Sequence, residues 1–95
     1  MKTLTLDGSA WNTADDFYDT FFTAVAAPAW HGKNLDALRD SIGTGGINKI
    51  EIPYVIRISG LAAMGTEARS MVERFKGLIQ DLQADGDPVA VELLN

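Results

Sequence analysis

Three β-like runs stand far apart in the chain: KTLTLD at Lys2–Asp7, YVIRI at Tyr54–Ile58 and VAVELL at Val89–Leu94. Each gap between them holds segments of helical period. That spacing is the strongest constraint on the fold. Antiparallel neighbours can be joined by a tight turn, but parallel strands need a crossover of a dozen or more residues, usually helical. The chain is therefore predicted to be α/β, a small three-stranded parallel sheet packed with helices in the order β-α-α-β-(short α)-α-β. A length of 95 residues fits one domain, 1–95, and leaves little room for a deep enclosed cavity.

The first strand places Leu4 and Leu6 on one face and meets a turn at Asp7-Gly8. Thr13 and Asp16 have capping-box spacing. Phe17, Phe21, Ala24 and Val25 then recur at helical intervals, widened by Tyr18 and Phe22, with Pro28 beyond the end; this predicts a helix from Ala14 to Ala26. Ala27–Lys33 is a loop. Asn34 is an N-cap residue for a second helix, Leu35 to Ile42, with Leu35, Leu38 and Ile42 facing inward. Gly43–Asn48, GTGGIN, is predicted to be a flexible loop. Pro53 has no N–H to give a ladder and so belongs at the start of the middle strand. Gly60–Gly65 is expected to hold a short helical turn. Thr66 is the expected cap of a long helix, Glu67–Ala84, that buries Ala68, Met71, Val72, Phe75, Leu78, Ile79 and Leu82. Gly77 interrupts that helix and costs about 1 kcal/mol relative to alanine. Asp85-Gly86-Asp87-Pro88 is a stop and a turn.

With no cysteine there is neither a disulfide nor a thiolate metal site. The formal charge of −5, from 13 acidic and 8 basic residues, disfavours nucleic acid, whose phosphates are bound by lysine and arginine. No run approaches the roughly 20 apolar residues of a membrane span, and none suits a signal peptide. The expectation is a cytoplasmic protein, monomeric when free, without cofactor. Gly43, Gly45 and Gly46 match no nucleotide-binding frame. No serine has a nucleophile-elbow context, and His31 is the single histidine. A nucleophilic enzyme is not expected.

Asp36 and Asp40 are four residues apart, so both leave one face of the second helix. Asp36 lies in the first turn, where the helix dipole favours it. Asp40 gains little there, and the pair repels by roughly 0.2–0.5 kcal/mol. Solvation of an outward helix face accounts for both most simply. Three functional readings stand beside it. Paired carboxylates for acid–base catalysis need a cleft that raises one pKa, and nothing predicts one. A metal site of Asp36, Asp40 and His31 matches no known ligand spacing. An acidic face for the arginines or lysines of a protein partner needs only exposed carboxylates on a rigid helix and an aromatic anchor, which Trp30 supplies.

The stretch PAWHGKNLDALRD, Pro28–Asp40, closely resembles the central motif of the barstar family of ribonuclease inhibitors. That motif runs proline, any residue, two aromatics, glycine, any residue, then Asn-Leu-Asp-Ala-Leu-Trp-Asp. Pro28, Trp30, Gly32, Asn34, Leu35, Asp36, Ala37, Leu38 and Asp40 fit it, and the order of elements is also similar. The resemblance implies a barstar-like fold and one-to-one inhibition of a basic ribonuclease, secreted or a toxin, by plugging its active site. It further implies that Asp40 is the main phosphate mimic, supported by Asp36 and Asn34, with Trp30 against the catalytic histidine. His31, Gly32 and Arg39 share the contact, Thr44 and Gly45 flank it, and Asp81 touches the enzyme's edge. Arg39 stands where the motif has tryptophan, and Lys33 where the family has an acidic residue; both put positive charge on the expected anion face. A longer loop follows the second helix. The alternative on the same fold is an acidic protein-binding module, or a toxin-immunity protein, with a non-ribonuclease partner.

Overall fold

A computed structural model describes residues 1–95. Three strands, β1 (Lys2–Asp7), β2 (Tyr54–Ser59) and β3 (Val89–Leu93), form one parallel sheet in the order β1-β2-β3. Lys2 stands beside Tyr54 and Asp7 beside Ser59; Tyr54 stands beside Val89 and Ile58 beside Leu93. The side-chain period of two decides which face is buried. Leu6, Tyr54, Ile56, Ile58 and Val89 point into the core, while Thr3, Thr5, Arg57 and Glu92 face water. On the wet face Arg57 Nε meets Glu92 Oε2 at 3.0 Å, opposite charges on neighbouring strands. Pro53 sits just before β2, as its missing N–H requires, and its peptide bond with Ile52 is cis.

The helices α1 (Ala14–Ala24), α2 (Leu35–Arg39) and α3 (Thr66–Ala84) pack on the core side. Phe17 and Phe21 of α1 meet Phe75 of α3 with ring centroids 4.9 and 5.3 Å apart. Trp11 closes one end of this cluster; it is buried, with its Nε1–H donating to Thr20 Oγ1 at 3.1 Å. The capping box at α1 is present: Thr13 Oγ1 accepts from Asp16 N–H, and Asp16 accepts from Thr13 N–H.

β2 runs one residue further than expected, to Ser59, and element ends differ from expectation at four other places. First, α1 stops at Ala24, because Ala26 adopts a left-handed backbone (φ 53°) and the Val25 and Ala26 carbonyls accept from Ile50 and Lys49. Second, Gly65 rather than Thr66 caps α3, its carbonyl accepting from Arg69 N–H. Third, β3 ends at Leu93. Fourth, α2 does not run to Ile42 and give way to a flexible loop. Its last turn widens into a π turn over Asp40–Thr44, closed by Gly45 N–H on the Asp40 carbonyl at 3.3 Å. A 3-10 turn, Leu61–Ala63, fills the segment after β2 where a short helical turn was expected. Gly60 leads into it with φ 85°, and its backbone comes so close to Ser9 that a Cβ would lie 2.5 Å from the Ser9 nitrogen. Only glycine suits such a position.

Candidate protein-binding face

Asn34 fixes the entry to α2. Its backbone is extended (φ −152°, ψ 160°) and its side-chain oxygen accepts from Ala37 N–H at 2.8 Å. The cap satisfies one of the free N–H groups of the helix start and turns the chain sharply out of the preceding loop. On the inner side Leu38 and Ile42 are buried in the core and Leu35 partly so. That anchoring forces Asp36, Arg39 and Asp40 outward, where all three are exposed. Neither Asp36 nor Asp40 forms an ion pair with any group of the chain. Two carboxylates thus stand on a rigid turn with their hydrogen-bonding capacity facing solvent.

The loop before α2 separates two aromatic neighbours. Trp30 is 74 % exposed and His31 only 7 %. His31 N–H donates to the Pro28 carbonyl, its Nδ1 lies 3.0 Å from the Gly32 carbonyl, and its ring lies 4.4 Å from that of Phe22. The loop therefore folds around the imidazole and presents the indole. His31, expected among the partner-contacting side chains, is itself buried, with its ring packed against Phe22. With a carbonyl beside it, Nδ1 carries the proton. The buried Nε2 has no partner.

Lys33 does not face the anions of α2. Its Nζ lies 3.0 Å from Asp19 Oδ1 and 3.7 Å from Asp15 Oδ2, both on α1. The hydrogen bond to Asp19, ahead of the field of Asp15, holds the ammonium pKa above its ordinary value. The expectation that Lys33 weakens the anion face is corrected on this geometry: its charge is matched by α1. Arg39 does remain on the face. Its Nη2 meets Asp81 Oδ2 of α3 at 3.2 Å, so Asp81 does not stand alone. Thr44 is exposed at the end of the π turn. Gly45 (φ 81°) and Gly46 follow, with Gly46 N–H donating to the Glu51 carboxylate.

Asp36, Arg39 and Asp81 come together along a groove between α2 and α3, which Arg74 and Gly77 also line. Trp30 and Gly32 belong to the loop at the start of α2, and Thr44 and Gly45 to the turn at its end. Sequence reasoning missed the roles of Asp15, Asp19, Glu51 and Arg74. Only Gly77 carried a signal, as a glycine unfavourable to its helix. No group of three or more histidine, aspartate or glutamate side chains is placed to hold a metal ion, and no helix is long and apolar enough to cross a membrane.

Residues 1–93 match the model of the family described as Barstar (barnase inhibitor). The chain belongs to the barstar family. A comparison with curated proteins gives no match. Membership covers all three strands and all three helices, so the barstar frame extends well beyond the Pro28–Asp40 motif. The family's description is that of an inhibitor of barnase, which supports a ribonuclease partner at the level of the family.

Proposed function

We propose that this chain inhibits a basic ribonuclease by one-to-one binding, with α2 and the loop before it entering the active-site cleft. Asp40 and Asp36 stand in for RNA phosphates, Asn34 sets their geometry, and Trp30 packs against the catalytic residues. The observation that carries this reading is the pair of exposed, unpaired carboxylates on a capped turn whose other side is locked into the core. Carboxylates presented this way match the lysines and arginines of a phosphate-binding cleft, and charge-assisted hydrogen bonds are the stronger kind. Gly32, Thr44 and Gly45 border the contact. The protein acts as a monomer in the cytoplasm and has no catalytic role of its own.

Barnase is the probe for the test. Asp40→Ala is expected to weaken binding by about 2 kcal/mol or more, roughly thirtyfold, because a cationic cleft group is left buried without a partner. The melting temperature should hardly move, since Asp40 has no partner within the chain. Equal affinity of wild type and variant, measured by calorimetry, would remove Asp40 from this role. The alternative, an acidic module with a non-ribonuclease partner, draws on Arg39, a cation on an otherwise anionic helix face. Failure to bind any basic ribonuclease would favour it.

A further inference from the structure

The groove between α2 and α3 does not have the chemistry of an anionic plug. Arg39 lines it from α2 and Arg74 from α3, and Arg74 has no ion-pair partner in the chain. Arg39 gives Asp81 a single hydrogen bond at 3.2 Å, through Nη2. A guanidinium has five N–H donors in a planar fork, so most of this one is uncommitted. An exposed single-contact pair is also easily rearranged. Asp36 and Asp81 complete the charges of the lining, which sum to zero with the two arginines. A carboxylate arriving at this groove is not repelled as it is beside Asp40.

Gly77 supplies an independent observation. A Cβ there would meet nothing within 4 Å, so no packing within the chain requires a glycine in the middle of α3, although glycine weakens a helix interior. Its bare backbone lines the groove and leaves that stretch of it open to approach from outside.

We propose that this groove is a second subsite of the binding face, taking a carboxylate-bearing loop of the ribonuclease over Gly77 and against Arg39 and Arg74. Arg39 is then the residue that selects among ribonucleases. An enzyme with an acidic group at the rim of its basic cleft satisfies Arg39, while one with a wholly basic rim meets it with like charge, and such mismatches set specificity. The identity of the partner rests on the inhibitor reading; the existence of the subsite does not.

The test titrates the full chain, isotopically labelled, with the blocked peptide acetyl-Gly-Asp-Gly-amide and follows the NMR signals of the Gly77 amide and the Arg39 and Arg74 side chains. Saturable shifts confined to these groups are expected. Arg39→Gln should weaken the response roughly fivefold or more. Gly77→Ala should weaken it while melting no lower than wild type, because the added Cβ meets nothing within 4 Å and a better helix former replaces glycine. Lys2→Gln, outside the groove, should leave it unchanged. Groove signals that stay still, or that respond equally in Arg39→Gln and Lys2→Gln, overturn the subsite and leave ribonuclease inhibition standing. Groove shifts in a chain that inhibits no ribonuclease would overturn the ribonuclease as the source of the carboxylate.

Discussion

At Ala26 the backbone holds a left-handed conformation (φ 53°) with a side chain that resists it. That conformation costs a non-glycine residue roughly 1–2 kcal/mol, because Cβ crowds the following carbonyl. Glycine removes the crowding and returns about 0.4–1 kcal/mol of it through the greater freedom of the unfolded chain. Ala26→Gly is therefore expected to stabilise the protein by about 0.5 kcal/mol, seen as a small rise in melting temperature; a fall would mean that the methyl group packs more favourably than it strains. Asp16 gives the residue scale its pH dependence. Backbone N–H groups of Asn12 first, then Thr13, bond its carboxylate and lower its pKa below the ordinary 3.8. A lowered pKa in the folded state means stability present above the ordinary carboxylate pKa and lost as pH falls through the folded value. Asp16→Asn should thus lower the melting temperature at neutral pH and lose that effect in strong acid, which a series of thermal melts from neutral to acid pH will show. The Thr13–Asp16 box was legible because both partners lie within one helical turn. The burial of His31 was not, because the ring that covers it belongs to Phe22 and only folding brings the two together.

Helices and strands were legible where one face is apolar at a regular period, and their ends were not where a distant group decides them. The buried stripe of α3 runs through Ala68, Met71, Val72, Phe75, Leu78, Ile79 and Leu82 as its spacing predicted. The end of α2 shows the opposite case. GTGGIN has the composition of a flexible loop, yet Gly46 N–H is held by Glu51, and Lys49 and Ile50 bond back to the end of α1. The restraint comes from the other limb of the loop and from a helix outside it, which local composition does not reveal. Within the candidate face, the capped turn bearing Asp36 and Asp40 was readable from Asn34 and the apolar stripe. The Lys33 contacts to α1 were not, since they depend on how two helices dock. Glu51→Ala is accordingly expected to raise the hydrogen-exchange rate of the Gly46 amide while barely changing the melting temperature, because the carboxylate closes a surface loop and no core contact. An unchanged rate would show that backbone geometry alone protects that amide. At the start of α1, Thr13→Ala should cost about 1 kcal/mol through loss of the cap, measured by denaturant unfolding.

Across the whole molecule the charge of −5 acts before any contact forms. Opposite net charges draw an acidic inhibitor and a basic ribonuclease together at long range, and salt screens that field over a Debye length of about 8 Å at physiological ionic strength. The association rate should therefore fall as salt is added, while the dissociation rate, set by desolvated contacts at short range, changes little. Arg39 separates these two effects within one residue. Replacing it with glutamine takes the net charge from −5 to −6, which by steering alone quickens association with any basic partner. If Arg39 also meets a carboxylate in the groove, the same substitution breaks a contact made only in the complex and quickens dissociation. Stopped-flow measurement of both rates for the wild type and Arg39→Gln, at low and physiological salt, reads the two independently. Faster association together with faster dissociation is the expected pattern for a ribonuclease with an acidic rim. Faster association with unchanged dissociation would make Arg39 no more than a charge that the approaching enzyme must overcome.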